Sequence, residues 1–240
     1  SLDEIGSKDP DAVKRWRGIH DCVSRGGYDG CKDPCLVRSV YFEPNQLKIE
    51  LDKMILEHKD SIRVLYHTWG VKPIMDGNDI KGVIFESKEG RKAVLAKVVI
   101  DATGDGDIFA QAGAPFEKLT DAGCRSSATA LVWRVGGIDW NAYIHWLNTT
   151  PNGFQTIFTG LSKVAGYKTM PLPSNQNDVC WLNNWFYERD CSNIKDLTQT
   201  EFEVRNSIRN IIEFLRKTVP VAFKNAFLYD IAPQLGARCS

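Results

Sequence analysis

Along residues 44–58 the apolar side chains of Leu47, Leu51, Met54 and Ile55 recur at helical intervals, with Pro44 placed for a first helical turn. The spacing predicts one amphipathic helix. Directly after it, Ile62, Val64 and Tyr66 alternate with Arg63 and His67, the period that predicts a strand with one buried face. Runs at 71–75 and 80–86 flank Asp76, Gly77 and Asn78, and residues 87–90 separate the second run from a third at 93–102. Three runs joined by turn residues predict a small antiparallel meander. In the third run Val94, Leu95, Val98, Val99 and Ile100 are nearly continuous, which predicts a strand covered on both faces. It ends abruptly in Ala102, Thr103, Gly104, Asp105, Gly106 and Asp107, and a helix is predicted to follow through Ile108, Phe109 and Ala112.

Beyond Pro115 the texture changes, and a second lobe is expected. Residues 129–135 read as a strand, 139–147 as a short helix, and Trp181, Asn183, Asn184, Trp185, Phe186 and Tyr187 form an aromatic and amide cluster. Thr198 and Glu201 have the spacing of a capping box, and Leu197 and Phe202 that of a staple. Phe202, Arg205, Ile208, Ile212 and Leu215 continue one helical face towards Pro220.

Composition narrows the partners. With 240 residues and 43% hydrophobic content the chain is long enough for a well-buried domain, or for one with a smaller lobe. Thirty basic and thirty acidic residues leave no net charge, so nothing electrostatic favours nucleic acid or an anionic membrane, and a small-molecule partner is expected. No apolar run is long enough to span a bilayer. Seven scattered cysteines, an odd number, point to reduced thiols and hence to a cytoplasmic setting. His20, Cys22, Cys31 and Cys35 are the local group most like metal ligands, but their gaps do not reproduce the paired two-residue spacing of zinc sites, and no metal is expected. The sequence leaves the oligomeric state open.

The turn at 103–107 carries the candidate chemistry. A strand that ends in glycines before a helix is where open α/β sheets bind ligands, because backbone amides and the helix dipole converge there. The G-x-G-x-x-G spacing that grips a pyrophosphate fails, since the glycine after Gly104 and Gly106 is Gly113. Carboxylates at Asp105 and Asp107 would also repel a phosphate brought within about 4 Å by roughly 1 kcal/mol or more. Sugar hydroxyls suit these acids better, so the turn is expected to meet the sugar portion of a nucleotide rather than its phosphates, with Asp107 also placed to cap the next helix. Two bland readings stand beside this one. A calcium loop beginning at Asp101 lacks its closing glutamate, because the twelfth position is Ala112. A tight turn with capping aspartates and no ligand is the other.

At this point the segments AKVVIDATGDGDIFAQAGAPFE, YHTWGVKPIMDGNDIKGVIFESKEGRKAVLAK and FLYDIAPQLGAR resemble the FAD-dependent oxidoreductases of the glutathione-reductase-like flavoprotein superfamily. The resemblance covers residues 44–115 closely and 196–238 more loosely. It implies a mixed α/β (α+β) chain: part of an FAD/NAD(P)-binding three-layer sandwich with a β-meander, plus a substrate-type lobe. The expected division is a partial FAD-binding domain at 1–118, a substrate or cap lobe at 119–230, and a return towards the FAD-binding domain at 231–240. Residue by residue, Gly70 and Val71 match the position whose backbone lies against the adenine. Thr103, Gly104, Asp105 and Gly106 match the second glycine turn near the flavin nucleotide. Leu235, Gly236, Ala237 and Arg238 match the return motif. The family's opening G-x-G-x-x-G strand and turn and its closing glycine-aspartate segment are not found in these 240 residues. The chain is therefore expected to be an internal piece whose own hold on FAD is incomplete.

The leading expectation is hydride transfer from an organic substrate to FAD, with the cofactor carrying the redox chemistry. No catalytic residue is identified. Arg134 and Arg238 have planar forks suited to a substrate carboxylate, against the alternative of surface salt bridges. His67 and His145 are candidates only if they are not ordinary strand and helix histidines. Three rival readings remain: a non-catalytic binding lobe for carbohydrate or another small ligand built on Trp181 and Trp185, a zinc-stabilised module at 22–35, and an inactive remnant.

Overall fold

The computed structural model describes residues 43–116, 129–174, 176, 178–186 and 189–237. The cysteine segment at 22–35, weighed above as a rival zinc module, and Arg238 lie outside these residues. The chain falls into two units, residues 1–48 with 127–239, and residues 49–126 with residue 240. It is a mixed α/β chain of the α+β kind, as expected, and the described strand pairings are antiparallel.

Helix α1 (Pro44–Leu56) forms where the apolar spacing placed it, but none of its residues is buried. The meander follows as expected: β1 (Trp69–Asp76), β2 (Asp79–Ser87) and β3 (Gly90–Leu95), in the order β1-β2-β3. Gly77 sits at φ 59° in the β1–β2 connection, a conformation glycine adopts without strain. A short helix, α2 (Asp107–Gln111), packs on β1 through Ile108. Among the described residues of 49–126, only Pro73, Gly82 and Ile108 are buried.

One expected strand stops short and another does not form. The third run pairs only as far as Leu95, opposite Gly82, with one further bond from Ala96 N–H to Lys81 O. Val98 and Ile100 are then 75% and 86% exposed, so the strand covered on both faces at 93–102 is a correction. Residues 62–66 are likewise outside any strand, and Ile62, Val64 and Tyr66 are exposed. The side-chain pattern is that of a strand in both places, but a strand also needs a neighbour to take its ladder bonds. No described segment supplies one.

The other unit has a full core. Its strands β4 (Trp133–Gly136), β5 (Lys168–Pro173), β6 (Val179–Trp185) and β7 (Phe227–Ile231) form a sheet in the order β5-β6-β4-β7. Its helices are α3 (Trp140–Thr149), α4 (Gly153–Ala165), α5 (Ile194–Thr218) and the single turn α6 (Pro220–Phe223). Leu131, Trp133 and Val135 alternate into one cluster with Leu182, Tyr143, Ile157, Leu161, Ile211, Leu215 and Phe223. By the same alternation Arg134 points to the opposite side of β4. Asn184 is buried in β6, and its side chain takes Leu131 N–H at 2.9 Å and donates to Leu131 O, standing in for a backbone neighbour.

The helices refine the sequence reading. α3 begins after Asp139, whose carboxylate accepts from Ala142 N–H at 3.0 Å. α4 was not anticipated, although Phe154, Ile157, Phe158 and Leu161 carry its period, and Gly160 lets it meet the Phe214 ring. α5 starts four residues before the expected capping box: Asn193 caps it through Lys195 N–H, and Thr198 instead returns a bond to Ile194 O. Its buried face runs through Thr200, Val204, Ser207, Ile208, Ile211, Ile212 and Leu215, while Phe202 is 56% exposed. Pro220 ends it as expected by opening α6.

The cap assignment is testable by urea unfolding. Asn193→Ala is expected to lower stability by about 1 kcal/mol, and Thr198→Ala to change it by less than about 0.5 kcal/mol.

Candidate functional site

The glycine-aspartate turn lies on the surface in the smaller unit: Thr103, Gly104, Asp105 and Asp107 are exposed. Its geometry is set from its first residue. Asp101 Oδ1 accepts from Thr103 N–H at 3.0 Å and from Thr103 Oγ1 at 2.8 Å. Asp101 Oδ2 accepts from Ile108 N–H at 3.1 Å and Phe109 N–H at 2.9 Å. Having donated its proton, the Thr103 hydroxyl accepts from Gly106 N–H and Asp107 N–H, both at 3.1 Å. The four backbone N–H groups of residues 106–109 therefore all end on two side chains.

Asp107 was expected to cap α2, and this is corrected. The cap position is Gly106, with no side-chain bond of its own, and Asp101 and Thr103 satisfy the first amides from a distance. The sequence held a signal for this, since an Asp two residues before a turn residue commonly bonds the backbone ahead of it. Gly104 and Gly106 lie at φ 90° and 74°, the left-handed region that favours glycine.

The electrostatics follow from these bonds. The Phe109 amide above all, then the Thr103 amide, hold the Asp101 carboxyl below its ordinary value against the opposing effect of burial, with lesser help from the Thr103 hydroxyl and the Ile108 amide. Asp107 is raised, first by burial and then by Asp105 and Asp101. Ionised Asp101 thus stabilises the folded turn at every pH above the ordinary carboxylate range. That contribution disappears as the pH falls through its lowered value.

The structure sets the Gly70 end of β1 against α2, the helix that follows the turn. Gly70 and Val71 open β1, and a Cβ built on Gly70 would stand 3.5 Å from Ile108 Cδ1, one residue beyond the turn. Before β1, an open cleft of about 360 Å³ is lined by Arg63, Tyr66, His67, Thr68, Phe85 and Lys88, among others. His67 sits at φ 54°, unusual for a residue with a side chain. Lys92 lines the same cleft and pairs with Glu89.

In the larger unit Arg134 is 3% exposed, so it is neither a surface ion pair nor a free fork. Its Nε bonds Asp230 Oδ1 at 2.8 Å and Nη2 bonds Asp230 Oδ2, while Nη1 reaches both Glu43 oxygens at 2.8 Å. The guanidinium lies over the rings of Trp181 and Tyr229 at 5.0 and 4.8 Å. Asp230 holds its pKa above the ordinary value, against the effect of burial. Neither carboxylate partner was foreseen, because both lie more than ninety residues away in sequence. Trp181 and Trp185 stand on β6, and His145 is exposed on α3. Gly236 of the return motif pairs with Ala130, N–H to O at 2.8 Å. Cys180 and Cys191 are buried free thiols, and burial pushes the Cys180 thiol up. No described helix is long and apolar enough to cross a membrane.

Residues 9–240 match the family described as FAD dependent oxidoreductase. The chain belongs to that family. Its cofactor is accordingly FAD, and its chemistry is flavin-dependent oxidation and reduction. Comparison with curated proteins and with solved structures gave no match. At the turn a Cβ on Gly104 would meet nothing within 4 Å, so that face of the backbone is open.

Two outcomes check this geometry. Thr103→Val removes both the donor and the acceptor of the relay and is expected to destabilise the turn by about 1–2 kcal/mol, seen as faster amide exchange at Gly106 and Asp107, whereas Thr103→Ser retains protection. Arg134→Ala strands two carboxylates and is expected to cost about 3–5 kcal/mol in unfolding experiments.

Proposed function

We propose that this member of the FAD dependent oxidoreductase family transfers a hydride from a small organic substrate to FAD. On this reading residues 1–118 carry part of the FAD-binding domain, 119–230 the substrate lobe and 231–240 the return. The observation that carries it is the open 103–106 turn seated beside the Gly70 end of β1, which unites two segments far apart in sequence.

Within it, Gly70 and Val71 lie against the adenine, and the cleft ending at Thr68 receives the adenine end of the nucleotide. Arg63 and Lys88 there supply positive charge suited to phosphate oxygens. Thr103, Gly104, Asp105 and Gly106 meet the ribityl or ribose hydroxyls, with the Asp105 carboxylate as an acceptor. When bound, the flavin takes up the hydride. The chain's own part is to bind and orient both molecules. Arg134 and Arg238 are the substrate-carboxylate candidates. A substrate reaches Arg134 by displacing Asp230, whose side chain is 41% exposed, rather than Glu43, which is 18% exposed.

The test is flavin content in the protein expressed from its complete reading frame. Wild type is expected to carry flavin absorbance in the blue. Gly104→Val, which puts a β-branched residue at positive φ and closes the open face, is expected to lower FAD affinity by about tenfold or more, roughly the equivalent of 1.4 kcal/mol. Gly77→Val places the same strain in the β1–β2 turn and is expected to keep its flavin. A colourless wild type that takes up no added FAD, or equal flavin loss in both variants, defeats this reading.

A further inference from the structure

We propose that the Arg134 cluster takes an amino acid: the carboxylate of the ligand replaces Asp230 on the guanidinium, and the displaced Asp230 receives its ammonium group. The inference rests on the reading above that Arg134 meets the substrate, and it names the class to which that substrate belongs.

One guanidinium needs one carboxylate for neutrality, and Glu43 supplies it, with both oxygens 2.8 Å from Nη1. Asp230 adds a second carboxylate along the Nε and Nη2 edge, so the cluster carries a surplus of one negative charge. Structural pairing gives no reason for the surplus, because every charge taken from water loses hydration. A ligand with a carboxylate and no cation would raise the surplus to two. A zwitterion leaves it at one, and it brings a cation for the carboxylate that it dislodges.

The backbone of β7 is bent to the same end. In a regular strand consecutive side chains point to opposite faces, so only one of Tyr229 and Asp230 would face Arg134. Here Arg134 stands opposite Asp230 while Val135 stands opposite Leu228, which leaves Tyr229 as the extra residue of a bulge. Bulges re-aim side chains in this way, often beside active sites. Both side chains reach Arg134, Asp230 through its bonds and Tyr229 with its ring centre 4.8 Å from the guanidinium carbon.

The exchange is local. Asp230 is the more exposed of the two carboxylates, and its departure leaves Glu43 holding Arg134. An amino acid carries its ammonium one carbon from its carboxylate, so the cation arrives beside an aspartate that has turned just far enough to release the fork. Tyr229, half exposed, offers ring surface to the rest of the ligand. Such a substrate also suits hydride transfer. Its Cα–H bond breaks with the electron pair passing to FAD as hydride, the ammonium loses one proton to solvent, and a C=N bond forms, leaving an imino acid and reduced FAD.

The experiment is calorimetric titration of the protein expressed from its complete reading frame. The probes are both enantiomers of alanine and phenylalanine, the matched acids propanoate and 3-phenylpropanoate, and the matched amines ethylamine and 2-phenylethylamine. At least one amino acid is expected to bind wild type about tenfold or more tightly than its acid and its amine. Asp230→Asn removes the surplus charge and the partner of the ammonium. It is expected to bind the acid more tightly than wild type does, and the amino acid no more tightly than the acid. Loss of the preference, rather than loss of binding, is the mark of ammonium recognition by Asp230.

An acid or amine that binds wild type as tightly as the amino acid overturns the proposal, as does failure of every amino acid to bind. So does an undiminished preference in Asp230→Asn; if that form does not fold, the wild-type series decides. A wild type that shows the preference but takes up no FAD defeats the flavin reading and leaves recognition by Asp230 standing. A flavin-loaded protein without the preference does the reverse.

Discussion

Backbone N–H and C=O groups have to find partners, and the way each unit of this chain finds them decides what its side chains are free to do. In the larger unit the partners are local to the fold: four strands close an antiparallel sheet, and Asn184 fills a remaining gap at Leu131. In the smaller unit the meander satisfies itself as far as Leu95. Past that point side chains take over from strands, and the α2 amides are satisfied by Asp101 and Thr103.

This difference separates the energetics of the two units. The larger one buries Trp133, Trp140, Phe223 and a set of leucines, isoleucines and valines, with close packing where Gly160 meets Phe214. Such a core can carry the desolvation of Arg134, because the guanidinium keeps two carboxylates and two aromatic faces as replacements for water. The smaller unit has three buried residues among those described, and Leu51, Met54 and Leu56 of α1 with Val94, Leu95, Val98 and Ile100 are exposed. Its order comes from hydrogen bonds more than from burial.

Membership in the FAD dependent oxidoreductase family ties these observations to a chemistry in which the cofactor reacts and the protein positions. The turn has open space over Gly104 and acids alongside. The arginine buried on the sheet carries positive charge already paired with Asp230 and Glu43.

Much of this was written in the sequence. The three runs of the meander, α1, α3 and the end of α5 at Pro220 were all legible, because helical and strand periods and turn residues act over a few neighbours. The glycine-aspartate turn and the short helix after it were legible for the same reason, but the buried strand expected to lead into the turn stops at Leu95. Local pattern misplaced the α5 cap by several residues, since Thr198 has the right chemistry but Asn193 has the right backbone. Whether residues 62–66 and 96–102 become strands was not a local matter, because a ladder bond belongs to two segments at once. Nor could the sequence show that Glu43 and Asp230 converge on Arg134, or that Ile108 lies under Gly70. Periodicity reports what a residue's neighbours in the chain allow, while pairing across dozens of residues exists only once the chain has closed on itself.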